Sequence, residues 1–329
     1  MKVVTNNEIS REEWEALISQ SSYASAFQTA AFYELFNSIP GLSAEAYAIE
    51  ESSDIKAICV VTLQKEEGLR GYFSKRAIIY GGPVLNNNEE AYLDYLLKSI
   101  GIGLKGKSIY SEIRNLNDYS NLEEVFKRNG WQYLPYQSFI VDCSDKKKLF
   151  DRLGSNRKRQ IKKATSSGVI IREAQNLNEI NDFYSILQNL YKKKIKRPLL
   201  PKKFFEEFFK KNLGKCLIVE FKNKIIGGIL CPILEKRAIY EIYICGLDDV
   251  YKNQYPSVIA TWGAMEYANE NNIPIFDFMG AGRKDMNYGV REFKARFGGD
   301  QVEFGRYLKI ENNFLYKIGE IGLKLLKKL

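Results

Sequence analysis

Residues 215–246 read KCLIVEFKNKIIGGILCPILEKRAIYEIYICG, three apolar runs parted by short polar turns. The runs Lys215–Phe221, Lys224–Ile233 and Ala238–Gly246 are short for helices and rich in the β-branched and aromatic residues that strands favour. Lys222-Asn223 makes a hairpin turn between the first two. After this meander the pattern gives a long helix entered at Pro256, a buried strand at Ile273–Phe278, a short helix at Val290–Phe297 and a strand at Gln301–Leu308. Before it come helices at Ser155–Ser167, Ile180–Lys194 and Lys202–Lys211. The middle one sets Ile180, Phe183, Leu187, Leu190 and Tyr191 on one stripe.

The first half repeats this order of elements without repeating the sequence. Ser10 with Glu13 caps a first helix, and a second runs near Gln28–Ser38. Strands follow at Ala44–Glu50, Ile55–Gln64 and Arg76–Tyr80, then a helix at Glu89–Ile100, a strand at Ser108–Arg114, a helix at Leu122–Arg128 and a strand at Gln132–Val141. A chain of 329 residues has room for two cores, since single cores stop growing below about 250–300 residues. The expected fold is α/β (α+β): two tandem domains, 1–143 and 144–310, each a mixed sheet flanked by helices. A C-terminal helix, 311–329, is expected to pack back on the first domain. It places Phe314, Ile318, Ile321, Leu325 and Leu329 along one side, so a membrane surface is its other expected setting.

Composition narrows the chemistry. The chain has no histidine, which excludes Ser-His-Asp and Cys-His catalysis, histidine metal sites and a histidine base. The five cysteines are widely spaced and read as buried thiols of a reducing compartment. No leader or spanning segment is evident, so the expected location is cytoplasmic. Residues 145–215 hold 20 Lys and Arg against 7 Asp and Glu, more than the whole chain's net charge of +9. Such a block fits a phosphate-rich partner, or a solvated helical surface.

Three motifs carry a resemblance. Arg157-Lys158-Arg159-Gln160-Ile161-Lys162-Lys163-Ala164 resembles the basic helix that opens the second domain of the Fem family, the peptidyltransferases that add amino acids to peptidoglycan precursors. Ile275-Phe276-Asp277-Phe278-Met279-Gly280 looks like that family's late buried strand, and Phe293-Lys294-Ala295-Arg296-Phe297-Gly298 like its F-K-x-x-F-G signature. The resemblance implies two domains of acetyltransferase-like (GNAT) fold, an aminoacyl-tRNA donor, a peptidoglycan-precursor acceptor, and neither a metal nor a bound cofactor. Acetyltransferase-like relatives of the Fem proteins, some tied to polysaccharide biosynthesis, share these signatures. A polysaccharide or nucleotide-sugar acceptor and an acyl-CoA donor therefore stay open.

On a helical wheel Arg157 falls with Ile161 and Ala164, while Lys158, Arg159, Lys162 and Lys163 share the opposite face. The inward arginine calls for an anionic partner, a structural carboxylate or a substrate phosphate. The outward four suit an RNA backbone or plain solvent. Lys294 borders the stripe of Val290, Phe293 and Phe297, with Arg296 on the solvent face; it either snorkels past its aromatic neighbours or stabilises the oxyanion formed when an amine attacks an ester. Asp277 is expected to be buried against Lys294, Arg283 or a backbone turn. Glu241 and Tyr243 share one strand face and are candidates for proton transfer or acceptor binding. Arg283 and Arg291 are expected to reach the cleft beyond Gly280-Ala281-Gly282.

The donor reading rests on Gly246-Leu247-Asp248-Asp249-Val250-Tyr251-Lys252-Asn253-Gln254-Tyr255-Pro256, where an acyl-CoA enzyme of this fold cradles pyrophosphate on free N–H groups. Two carboxylates and a proline there favour aminoacyl-tRNA over acyl-CoA. A non-enzymatic RNA-binding protein is the rival from another class, but the aromatic residues are dispersed and form no stacking platform.

Overall fold

The computed structural model describes residues 1–65, 68, 70–87, 90–285 and 289–328. The chain divides into two compact units, Met1–Pro135 with Phe304–Leu329, and Tyr136–Glu303. Each is an α/β layer structure with its own mixed sheet.

The first unit opens with β1 (Lys2–Thr5), α1 (Arg11–Gln20) and α2 (Ala30–Asn37), and Ser10 Oγ accepts the Glu13 N–H to start α1. A long antiparallel hairpin, β2 (Leu42–Glu51) and β3 (Asp54–Gln64), is followed by α3 (Arg70–Phe73), β4 (Arg76–Gly81), β5 (Val84–Leu85) and α4 (Glu90–Gly103). The expected helix start at Glu89 lies outside the described residues. Then come β6 (Tyr110–Asn115), parallel to β4, and α5 (Glu123–Arg128) and β7 (Gln132–Leu134). Ile79, Ile113 and Val61 meet Leu93, Leu97 and Phe126 in the core.

The second unit begins with β8 (Ser138–Asp142), α6 (Lys146–Asp151), α7 (Ser155–Ser166), β9 (Ile170–Glu173), α8 (Leu177–Leu190) and α9 (Lys202–Lys210). The expected meander follows as β10 (Gly214–Phe221), β11 (Lys224–Leu234), β12 (Ala238–Tyr240) and β13 (Tyr243–Gly246). Next are α10 (Pro256–Glu270), β14 (Ile275–Asp277), α11 (Gly289–Ala295) and β15 (Asp300–Val302). The sheet runs β15-β8-β14-β12-β11-β10-β9, with β13 on β11. Ile229, Ile239 and Phe276 pack with Ile259 and Met265 of α10, burials worth about 1.5–3 kcal/mol each.

The chain then returns to the first sheet as β16 (Arg306–Ile310), between β6 and β7, and α12 (Asn313–Lys328). Two strands expected to be single are therefore divided. Gln132–Val141 splits into β7 in the first sheet and β8 in the second; Gln301–Leu308 splits into β15 in the second and β16 in the first. Pro135, which lacks a donor, interrupts the first run. Gly305 interrupts the second at φ +67, where a Cβ would stand 2.1 Å from the Tyr133 ring. The expected boundaries at 143 and 310 thus differ from the observed ones, because apolar alternation continues through both breaks.

Within the first sheet β3 pairs with β4 at Thr62–Gln64 and with β5 at Ala57–Ile58. Gln28, wholly buried, bridges the interval: its Nε2 donates to Tyr80 O (2.7 Å) and Val60 O (3.2 Å), and its Oε1 accepts the Val60 N–H (2.7 Å). Gln28→Leu keeps volume but leaves these backbone groups unmatched. Denaturant unfolding should show a loss of about 3 kcal/mol or more, at 1–3 kcal/mol for each of the three groups; a loss within experimental error would mean that the bridge adds nothing.

Candidate functional site

The expected strand Ala238–Gly246 is broken in the middle. The register against β11 changes by one residue, from Leu230↔Tyr243 to Ile233↔Ile239, and the Ile242 N–H turns back to Tyr240 O at 3.1 Å. On one side of the break β12 pairs in parallel with β14; on the other, β13 has only β11 as a partner among the described residues. The two strands part there, and Glu241 stands at the fork, its N–H on Asp277 O at 2.9 Å.

Beyond β14 the chain turns sharply, with Met279 at φ +53 and Gly280 at φ +122. A positive φ at methionine is costly, so the turn must be held. Lys294 on α11 holds it: Nζ donates to Phe278 O (2.6 Å) and Gly280 O (2.9 Å), and lies 2.9 Å from Glu241 Oε1. An ammonium has three donors, and all three have protein acceptors. Lys294 is 7% exposed and Glu241 5%, so the pair is buried and Lys294 does not snorkel. Glu241 Oε2 has no hydrogen-bond partner, and burial pushes the Glu241 carboxyl up against the pull of Lys294.

Asp277 supports the turn from the other side. Its Oδ1 accepts the Met279 N–H (2.6 Å) and the Ser138 hydroxyl (3.3 Å), and Ser138 Oγ accepts the Gly280 N–H (2.9 Å). Burial raises the Asp277 carboxyl to about 6. Of its expected partners, the backbone turn is the one observed.

Arg157 is 4% exposed and stacks on Phe293 (4.4 Å) and Phe297 (4.9 Å) of the last signature. It donates to Gln160 Oε1 (2.6 Å) and Phe293 O (3.3 Å), while its Nε has no partner. The expected anionic partner is not observed: no carboxylate pairs with Arg157 among the described residues, and two aromatic faces stand in its place. Burial lowers its pKa to about 10.

The remaining candidates are more dispersed. Arg283 is exposed and pairs with Asp285 at 2.8 Å, while Arg291 donates to the carbonyls of Ala281 (3.2 Å) and Arg283. Tyr243 packs beside Phe205 (5.2 Å) and Tyr191 (6.0 Å). Arg159, Lys162 and Lys163 are exposed and Lys158 half-buried, and none of the four joins an ion pair among the described residues. At the start of α10, Asp248 accepts the Ser257 N–H (3.3 Å) and hydroxyl (2.5 Å).

Residues 153–294 match the family described as acetyltransferase (GNAT) domain. The second unit is a GNAT domain, and the chain an acyltransferase. Over both units the fold is that of solved tandem structures. FemX superposes with a TM-score of 0.73 at 14% identity, over 97% of this chain and 99% of that one. L-PGS from Bacillus licheniformis gives 0.60 at 12%, over 96% and 97%. A tandem GNAT protein from the clavulanic acid biosynthesis pathway gives 0.59 at 8%, over 94% and 99%. No curated protein matches the chain by sequence.

Sequence reasoning missed Ser138, Gln160 and the Asp248 cap in this GNAT domain. A serine or an aspartate far along the chain from its partner leaves no periodic trace.

The clamp makes Lys294→Met a stability variant as well as a functional one. Unfolding should lose about 3–5 kcal/mol, because a buried carboxylate and two carbonyls lose their partner. Glu241→Gln added to it should restore part of that loss, whereas strict additivity of the two changes would show that the pair is uncoupled.

Asp277 gives a pH signature. Its folded value of about 6 lies above the ordinary 3.8, so the folded chain keeps a proton that the unfolded chain releases. The resulting stability is full below about 3.8 and lost as pH rises through about 6. Asp277→Asn cannot ionise, so the stability of the parent relative to this variant should fall by about 2–3 kcal/mol between pH 4 and 7, at 1.36 kcal/mol per unit. A pH-independent difference would rule out an ionising buried carboxylate.

Proposed function

We propose that the chain transfers an aminoacyl group from aminoacyl-tRNA to an amine of a cell-envelope precursor, and that the fork of β12 and β13 is where the transfer takes place. The observation that carries the donor reading is Asp248, which accepts the Ser257 N–H and hydroxyl in the first turn of α10. A helix N-terminus after the fork is where a pyrophosphate would sit in an acyl-CoA enzyme. Here a carboxylate already fills it, and a second phosphate-bearing group would meet like charge. The cations of α7, none in an ion pair among the described residues, supply a surface suited to an RNA backbone instead. The Fem-like motifs point to the same donor and to a peptidoglycan or polysaccharide precursor as acceptor.

In the reaction the acceptor amine attacks the ester carbonyl carbon. A C–N bond forms, the ester C–O bond breaks, and the terminal hydroxyl of the tRNA leaves with a proton. Glu241 Oε2, which lacks a partner, accepts the amine proton. Once neutral, Glu241 holds Lys294 less strongly, and the freed ammonium donor stabilises the oxyanion. The proton then passes to the leaving hydroxyl. Arg157, whose Nε is unmatched, and Arg291 are the substrate-binding candidates that lie around α11, with Arg283 further out; Asp277 shapes the turn and Tyr243 contributes an aromatic wall.

The pairing of β13 with β11 alone among the described strands also supports a second reading, in which the amide-bearing arm of acyl-CoA pairs with the other side of β13. The donors are separated by incubating the pure chain with charged tRNA, and in parallel with acyl-CoA, each with a nucleotide-linked peptide acceptor, and reading mass shifts. The acceptor should gain mass from charged tRNA alone; a gain from acyl-CoA alone would replace the first reading by the second. Reversing Lys158, Arg159, Lys162 and Lys163 to Glu should weaken tRNA binding by about tenfold or more at low salt, because each neutralised phosphate releases counterions, and should leave the melting temperature nearly unchanged. Unaltered tRNA affinity would assign the block to solubility.

A further inference from the structure

Helix α12 carries an apolar face that its own unit does not cover. Its inner side is marked by Tyr316, whose ring meets Tyr110 edge-on at 5.4 Å, and by Gly319, where a Cβ would stand 3.7 Å from Phe73 O of α3. At 100° per residue Phe314, Ile318 and Ile321 fall on the opposite side. They are 74%, 37% and 59% exposed, and neighbouring Phe73 is 46% exposed. Three large apolar side chains gathered on one helix face are unusual for a surface that meets only water.

The charge of the helix selects the occupant. Its sequence holds Lys317, Lys324, Lys327 and Lys328 against a single acid, Glu320. A second copy of the same face would bring like charges together, whereas an anionic bilayer offers both an apolar layer and negative headgroups. With 16 residues the helix is about 24 Å long, and no helix among the described residues is long and apolar enough to cross a membrane. Lying along the interface is the arrangement that buries the apolar face of such a short, net-basic helix.

We infer that α12 is an interfacial helix that seats the first unit on an anionic membrane surface, with Phe314, Ile318 and Ile321 entering the headgroup region. The inference holds whichever donor the enzyme uses. The test is flotation of the full chain with equimolar phosphatidylglycerol–phosphatidylcholine vesicles and with phosphatidylcholine vesicles alone. The chain should float with the anionic vesicles at least about tenfold more than with the neutral ones, and added salt should reduce the difference. Phe314→Ser, Ile318→Ser and Ile321→Ser combined should lower partitioning by at least about tenfold. The melting temperature should change by only a few degrees, since Phe314 and Ile321 are largely exposed and Ile318 is partly so. A parent that stays in solution beside anionic vesicles, or a triple variant that floats like the parent, overturns the inference. A parent that elutes as a dimer and a variant that elutes as a monomer, with no vesicle binding, would assign the face to a second copy.

Discussion

The ammonium of Lys294 is the constraint on which the second unit's site depends. A lysine 7% exposed is tolerable only when every donor has an acceptor, and its three are two turn carbonyls and one carboxylate oxygen. That requirement fixes α11 relative to the end of β14, keeps Met279 in a left-handed conformation, and brings Glu241 to the fork between strands. Arg157 anchors the same helix from α7 through the two phenylalanine rings. The F-K-x-x-F-G signature thereby has a physical meaning at each named position. Its rings receive a guanidinium, its ammonium holds a turn, and its glycine stands where a Cβ would lie 2.3 Å from Arg152 O.

The fork and the helix behind it act together. A one-residue slip ends β12 and leaves β13 paired only with β11 among the described strands, while α10 begins close to the end of β13. In that geometry the N–H groups at the start of α10 attract any anion nearby. The chain supplies its own in Asp248, so the positive end of the helix dipole is neutralised from within. Recognition of a polyanionic donor then falls to side-chain cations elsewhere, and α7 displays them without carboxylate partners.

Much of this was legible in the sequence, and the losses have physical causes. The order of elements in the second unit followed from strand-length apolar runs and a Pro at a helix start, both local signals. The burial of Asp277 and of Arg157 followed from their places in apolar stripes. The partner of Arg157 did not, because a cation can be met by an aromatic face as well as by an anion, and sequence periodicity does not distinguish the two. Lys294 was placed at the border of its stripe, but whether a lysine at a border reaches water or turns inward depends on carbonyls at residues 278 and 280, far along the chain. The single expected strand at 238–246 hid a break, since a slip of one residue turns the following side chains to the other face without interrupting the apolar run.

The two divided strands carry a consequence for how the molecule is made. The first sheet needs β16 between β6 and β7, so β7 has no neighbour until residues 306–310 exist. Every strand of the second sheet lies between residues 138 and 302 and is synthesised before that point. On the ribosome the later-coded sheet can therefore be completed first, while the earlier one waits with an open edge at β6. The edge of β6 is thus exposed for as long as the second unit is being translated, and pairing it is a long-range step that comes late.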